Sequence, residues 1–307
     1  MAGLFRGKIK KGGLAEARID GFTKTLLQKR SPVNPSQLFA GSGQSAGRER
    51  SHNEDTLFVF NTVLAGDETP LSVGIFIVAD GMGGHQGGEI ASGLAVRAAV
   101  DHLMAEVYRP LLNSEKQIDK IDFEKVMRGT VDEAQKVVIE SVPGGGTTFT
   151  AALVINEQVH FAHVGDSRLY LFSPDSSVRI CTRDHSLVRR LVDLGQLTQE
   201  EAAVHPQRNV LYRALGQTEA FEADLDSFQL KHGSVMMICS DGLWGPVTES
   251  LIHMTVLEYE PQKAADKLIK LANLNGGPDN ISVLVARRKG DWERYKKEHS
   301  RDMENTR

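Results

Sequence analysis

The chain has 307 residues, a formal net charge of -4, 40% hydrophobic and 25% charged residues. Those proportions describe an ordinary globular protein and exclude a collagen-like, disordered or disulfide-stapled chain. The slight excess of acid and the lack of a Lys/Arg run in the central region argue against a nucleic-acid partner.

Cys181 and Cys239 are the only thiols, and Cys239 ends the apolar run Val235-Met236-Met237-Ile238-Cys239. A buried, reduced thiol is expected there. No stretch approaches the roughly 20 apolar residues of a membrane helix, and the N-terminus lacks the apolar core of a secretory signal. No membrane span and a cytoplasmic location are therefore expected.

Residues 1–42 form a basic appendage. Lys8, Lys10, Lys11, Arg18, Lys24, Lys29 and Arg30 face only Glu16 and Asp20, with Pro32 and Pro35 interrupting any long helix. A solvated tail is the plain reading, and a docking arm for acidic lipid or a partner the other. Residues 43–288 read as one domain. Val73–Ala79 is a continuous apolar run of strand length that stops at Asp80. Val96, Val100, Leu103 and Val107 then fall on one helical stripe, and Phe123, Val126, Met127, Thr130, Ala134 and Val137 on a second.

Runs at 149–155, 159–164, 169–172 and 178–182 are separated by polar turns at Asn156-Glu157 and Pro174-Asp175, which predicts antiparallel hairpins. Leu187, Val188, Leu191 and Val192 restore helical spacing, and Thr198 with Glu201 makes a capping box. Val235–Ser240 and Ile281–Ala286 predict two more buried strands. Between them Ala264, Leu268 and Leu271 mark a helix ended by Asn275-Gly276-Gly277. Residues 289–307 are a charged tail. Such runs of strands and pairs of helices fit a β-sandwich flanked by helices.

The chemistry follows from acids placed directly after apolar strands: Asp80, Asp166 and Asp241. Several carboxylates beside core strands repel one another unless a cation lies among them. All-oxygen ligation suits Mn²⁺, Mg²⁺ or Ca²⁺, whereas zinc calls for closely spaced His or Cys, which the chain lacks. Glu54-Asp55 and Asp279 precede further strand-like runs and join the set. Arg50, four residues before Glu54, is placed to fork onto a phosphate. Asp80-Gly81-Met82-Gly83-Gly84-His85-Gln86-Gly87-Gly88-Glu89 has neither the P-loop ending nor the dinucleotide spacing. Its glycines instead allow close backbone approach, so that the Gly81 carbonyl can reach a cation beside Asp80. A nuclease or phosphodiesterase, an inactive phosphoprotein reader and a structural calcium protein are the competing classes.

These residues resemble the metal-dependent protein phosphatases of type 2C in their bacterial form. The motifs run in family order: Arg50 with Asn53-Glu54-Asp55, Asp80–His85, Gly146-Thr147-Thr148 and His163–Arg168. Arg183–Ser186, Arg208-Asn209 with Arg213–Gly216, Ser240–Trp244 and Gly277–Asn280 follow.

The resemblance implies an α+β, four-layer αββα sandwich of two antiparallel sheets with helices on both outer faces. It also implies hydrolysis of phosphoserine and phosphothreonine in proteins, opposing a kinase, by a water bridging two Mn²⁺ or Mg²⁺ ions. Asp80, Asp241 and Asp279 would hold the first metal. Asp80, the Gly81 carbonyl and the Glu54-Asp55 pair would hold the second, and Asp166 with Asp241 a third, weaker one. Arg50 would bind phosphate, residues 186–209 would form a mobile flap, and a monomer is expected. The eukaryotic form has His where Met82 stands, so His85 is a candidate general acid beside metal-held water; His52 and His185 read as structural.

Overall fold

The computed structural model describes residues 38–64, 70–82, 87–113, 115–218 and 221–288. The basic segment up to residue 37, His85 and the tail from residue 289 lie outside these residues.

The strands are β1 (Leu38–Ser45), β2 (Thr56–Leu64), β3 (Leu71–Ala79), β4 (Gly81–Met82), β5 (Gly146–Thr147), β6 (Phe149–Ile155), β7 (Gln158–Val164), β8 (Arg168–Phe172), β9 (Val178–Ile180), β10 (Asp224–Gln229), β11 (Val235–Cys239) and β12 (Ile281–Arg288). They build two antiparallel five-stranded sheets, ordered β1-β12-β11-β8-β9 and β10-β7-β6-β3-β2, plus the small β4-β5 pair. The helices are α1 (Gly87–Leu103), α2 (Phe123–Ser141), α3 (Leu187–Asp193), α4 (Gln199–Ala203), α5 (Asp241–Trp244), α6 (Glu249–Glu258) and α7 (Pro261–Leu274). A π turn and a short helical turn carry α1 on to Asn113.

Alternation along the strands separates the layers. In β3 every residue is buried, as a strand covered on both faces requires. Val73, Ile75 and Ile77 pack with Ala91, Ala95 and Ala99 of α1 and Met127, Val131 and Ala134 of α2. Phe76 and Val78 point the other way, joining Phe161, Leu169, Met236, Ile238, Leu284 and Ala286 between the two sheets. Val235, Met237 and Val283 leave that inner layer for Ile252, Val256, Ala264 and Leu268 of α6 and α7. Three apolar layers thus separate four layers of structure, and the expected α+β sandwich is observed.

The expected helices over 96–107 and 123–137 are α1 with its extension and α2, and Asn156 sits at a φ of 53° in the β6-β7 turn. Two boundaries differ. β1 starts at Leu38 and pairs along its length with β12, so residues 38–42 belong to the sheet and not to the basic appendage. The strand expected over 178–182 ends at Ile180: the Cys181 N–H still donates to the Leu169 carbonyl of β8, but the Leu169 N–H turns to the Thr182 hydroxyl at 3.1 Å and the ladder stops there. Cys239 is fully buried, as its apolar run predicts.

Candidate metal and phosphate site

Register collects the acids at one end of the sandwich. Thr56 pairs with Ala79, Val78 with Thr150, and Phe149 with Val164, so the start of β2 and the ends of β3 and β7 share one edge. In the other sheet Cys239 pairs with both Val283 and Arg168, which brings the end of β11 beside the starts of β12 and β8. Glu54, Asp55, Asp80, Asp166, Asp241 and Asp279 occupy the chain immediately outside those strand ends. Glu54, Asp80, Asp166, Asp241 and Asp279 line one cleft of about 580 Å³ together with Arg50, Gly81 and Met82.

The electrostatics of that floor are those of crowded carboxylates. Desolvation, then the charges of Asp55, Asp241, Asp166 and Asp279, hold the Asp80 carboxyl well above the usual carboxylate range. Desolvation and the Asp279 and Asp55 charges push Asp241 up to about 7. Desolvation pushes Asp55 up to about 6, against hydrogen bonds that favour its charged form. Asp166 is raised by desolvation and by Asp241. Asp55 Oδ1 and Asp241 Oδ1 are shut off from solvent and meet no hydrogen-bond donor. Buried acceptors without a donor are costly, and a hard cation satisfies them where a neutral side chain cannot. The donor set, carboxylate oxygens with a backbone carbonyl at Gly81, fits such an ion.

Two of the acids are turned to organic partners. Arg50 Nη2 donates to Asp279 Oδ2 at 2.8 Å, and His52 Nε2 stands 2.9 Å from Glu54 Oε1. As placed, no three such side chains among the described residues close around a single point in ligand geometry.

Polar side chains brace this floor. Asn280 Oδ1 accepts the Glu54 N–H at 2.8 Å, while its Nδ2 donates to the carbonyls of Ala46 (3.1 Å) and His52 (2.9 Å). One buried amide thereby holds both ends of the loop that carries Arg50. Ser240 Oγ donates to Asp55 Oδ2 and accepts the Ser282 N–H, each at 2.9 Å. Thr148 Oγ1 accepts the Asp80 N–H at 2.9 Å, and the Thr147 hydroxyl donates to the Asp80 carbonyl at 2.9 Å.

Gly88, at the start of α1, leaves room for Glu54: a Cβ there would lie 2.2 Å from Glu54 Oε2. Gly165, at a φ of 112°, turns the chain from β7 into Asp166. That turn is held by His185, whose N–H donates to the Gly165 carbonyl at 2.7 Å and whose Nδ1 accepts the Gly165 N–H at 3.1 Å. Trp244 Nε1 donates to the Asp166 carbonyl at 3.1 Å. Arg168 stacks 3.7 Å from the Trp244 ring centre while forking onto Asp184.

The structure thus gathers Arg50, Glu54, Asp55, Asp80, Gly81, Asp166, Asp241 and Asp279 around one cleft; His85 is outside the described residues. His185 is fully buried, and His52 itself lines the cleft beside Glu54. The bracing roles of Asn280, Ser240, Thr148 and Trp244 were not legible from residue type. Each nevertheless stands inside a motif already singled out, Gly146-Thr147-Thr148, Ser240–Trp244 or Gly277–Asn280.

A profile of the family described as protein phosphatase 2C matches residues 42–273. The serine/threonine phosphatase stp of Listeria innocua is 38% identical over 252 residues, covering 79% of this chain and 92% of that protein. The crystal structure of the Mycobacterium tuberculosis serine/threonine phosphatase PstP superposes with a TM-score of 0.67 at 33% identity, covering 82% of this chain and 99% of that one. The catalytic domain of PstP in complex with two manganese ions gives a TM-score of 0.64 at 32% identity, over 82% of this chain and 98% of that one. A profile match over most of the sandwich, joined to an acidic cleft at its edge, makes this chain a member of the protein phosphatase 2C family and a protein serine/threonine phosphatase.

Proposed function

We propose that the chain hydrolyses phosphoserine and phosphothreonine in proteins with Mn²⁺ or Mg²⁺ held by the acidic floor, and that it opposes a serine/threonine kinase. Asp80, Asp241 and Asp279 hold the first ion; Asp80, Gly81 through its carbonyl, Glu54 and Asp55 hold the second; Asp166 and Asp241 serve a weaker third. The observation that carries this reading is the pair of donorless oxygens, Asp55 Oδ1 and Asp241 Oδ1, inside a cluster whose members raise one another's pKa. The PstP catalytic domain, with its two manganese ions, supports it.

When bound, the cations neutralise the floor and make hydroxide available near neutral pH. The rest is done by side chains. The floor gives up the protons that its raised carboxyls hold, so loading releases acid. Asp279 and Glu54, now paired with Arg50 and His52, would turn to the ions when these are bound. The freed Arg50 guanidinium, whose side chain is 55% exposed, then forks onto two phosphate oxygens. Asn280 keeps the Arg50 loop and Glu54 in fixed relation throughout. Met82 has no proton to give, and we assign protonation of the leaving oxygen to His85 or to water. The protein works as a monomer in the cytoplasm, with residues 43–288 as the catalytic domain extended at its start by β1; no helix among the described residues is long and apolar enough to cross a membrane.

Phosphate release from a phosphothreonine peptide, with Mn²⁺ or Mg²⁺ and then with excess chelator, tests the proposal. Release that stops with chelator supports it, and full release in chelator contradicts it.

A further inference from the structure

Asp166 follows a glycine, and a glycine fixes no direction by itself. Gly165 has a φ of 112° and no side chain, so the aim of the Asp166 carboxylate into the cleft must be set from outside the turn. Two contacts wall the turn in. A Cβ on Gly165 would lie 2.6 Å from Thr148 Cβ, so the turn already rests against that side chain, and Trp244 Nε1 holds the Asp166 carbonyl at 3.1 Å. His185 supplies the third contact and grips both polar groups of Gly165. Its N–H donates to the Gly165 carbonyl at 2.7 Å, and its Nδ1 accepts the Gly165 N–H at 3.1 Å.

The second of these bonds fixes where the ring carries its proton. A nitrogen that accepts an N–H holds no proton of its own, so the proton of His185 is on Nε2. Asp224 Oδ2 lies 3.2 Å from that nitrogen, in an ion pair not aligned as a straight hydrogen bond, and Nε2 is shut off from solvent. The carboxylate is itself fixed: Asp224 pairs with His163 in the β10-β7 register, and Arg213 Nη1 reaches its Oδ1 at 3.3 Å. Contact with the His185 ring, before all else, holds the Asp224 carboxyl below the usual carboxylate range, so the charge facing Nε2 persists. The opposite tautomer would set two N–H groups against each other at Gly165 and a bare lone pair against Asp224. A buried backbone N–H without an acceptor is costly. The His163 and Tyr212 rings, centred 5.0 and 5.6 Å away, pack against the imidazole.

We propose that His185 is a positioning residue for the phosphatase reaction: with its proton held on Nε2 by Asp224, it fixes the Gly165 turn and so aims Asp166 at the third, weaker ion. The proposal rests on the phosphatase reading above and on the ligands assigned there. His185 orients a ligand without touching the ion, a kind of contact whose loss costs about tenfold to a hundredfold in metal affinity or activity.

The test joins a measurement on the unaltered protein to two variants. Nitrogen-15 NMR of the histidine rings in the chelated wild type is expected to show His185 protonated at Nε2 and bare at Nδ1, with the Gly165 amide among the slowly exchanging ones. His185→Asn puts an amide oxygen where Nδ1 stands and can still accept the Gly165 N–H. His185→Gln carries its amide one carbon farther, to the place of Nε2, and can meet Asp224 but not Gly165. Phosphate release from a phosphothreonine peptide is followed over a Mn²⁺ series, with bound Mn²⁺ counted by calorimetry. His185→Gln is expected to raise the Mn²⁺ needed for half-maximal rate by roughly tenfold or more, to weaken only the last ion bound and to leave KM for the peptide unchanged. His185→Asn should stay within about threefold of wild type. A bare Nε2 in the wild type, or equal effects of the two variants, overturns the proposal. Should either variant also lose the two tighter ions, the tautomer and the Gly165 exchange of the wild type decide alone. No release by the wild type at any Mn²⁺ overturns the phosphatase reading instead, since the ring tautomer is read without substrate.

Discussion

The acidic floor and the flap sit side by side but are built in opposite ways. The floor is anchored largely to strands buried on both faces, β3, β11 and β12, and its loops are tied by polar side chains: buried Asn280, Ser240 and Thr148 and, around Asp166, buried His185 with half-buried Trp244. The flap is held by caps and by surface pairs such as Arg183 and Arg189 on Asp193. Surface pairs are worth little, and α4 contributes no buried side chain. Chemistry that needs carboxylates fixed despite mutual repulsion is placed where packing enforces it. The flap, by contrast, keeps α4 on the surface with no buried side chain, where local opening costs little.

The largest effect should follow from breaking the floor itself. Asp80→Ala and Asp241→Ala are each expected to lower kcat by about a hundredfold or more while the far-ultraviolet circular dichroism stays native, because removing one carboxylate also relieves repulsion. Activity above roughly a tenth of wild type would remove either residue from the site.

The bracing can be broken without touching an acid. Asn280→Ala deletes three hydrogen bonds from a buried amide. It is expected to destabilise by about 2–4 kcal/mol in chemical denaturation and to lower activity by misplacing Glu54 and Arg50 together. An unchanged midpoint would show that the loop holds itself.

Arg50 stands between floor and substrate. Arg50→Ala is expected to raise KM roughly tenfold to a hundredfold, and Arg50→Lys less, with kcat less affected, since a charged phosphate is bound as strongly before the transition state as in it. Metal content measured alongside should not change. Loss of metal in these variants would make Arg50 a structural partner of Asp279 only.

The raised carboxyls give the metal-free protein a pH signature. Asp55 and Asp241 have folded-state pKa values lifted to about 6 and about 7. Their contribution is fully present below the ordinary carboxylate pKa and is lost as pH rises through those values. The chelated protein should therefore lose stability between about pH 4 and pH 7 relative to Asp241→Asn, which removes one titrating group and flattens the slope. His163, whose pKa burial lowers to about 4, acts in the opposite sense: its contribution is full above the ordinary histidine pKa and is lost as pH falls toward 4. It is common to both proteins and cancels in the difference. Parallel melting curves across this range would contradict the crowding.

The smallest effect belongs to the flap. Thr198→Ala removes the capping box, and because α4 buries nothing, the global melting temperature should hardly move while amide exchange over 199–203 accelerates. A large fall in melting temperature would show that the flap is part of the core after all.

Much of this division was legible in the sequence. Runs such as Val73–Ala79 are too apolar and too short to be anything but buried strands, and an acid at the end of each marks the floor. The helical stripes of α1 and α2 were equally plain. β1 was not: Gly41, Ser42, Gly43, Gln44 and Ser45 have no apolar alternation, and the segment is a strand only because β12 offers it a register. β10 was missed for a similar reason, since Asp224 and Asp226 break its pattern while β7 supplies the pairing. Among the site residues, those that carry charge announced themselves. Those that brace it, Asn280 above all, are ordinary polar residues whose value depends on which carbonyls the fold brings within reach.

The most direct measurement of the central claim is the number of Mn²⁺ ions bound by wild type and by Asp80→Asn, a near-isosteric change at the residue assigned to both principal ions, in calorimetric titration of chelator-treated protein. The account predicts at least two ions per chain in the wild type and a marked loss of both in Asp80→Asn, with proton release on loading of the wild type. Equal binding by the two proteins would contradict it.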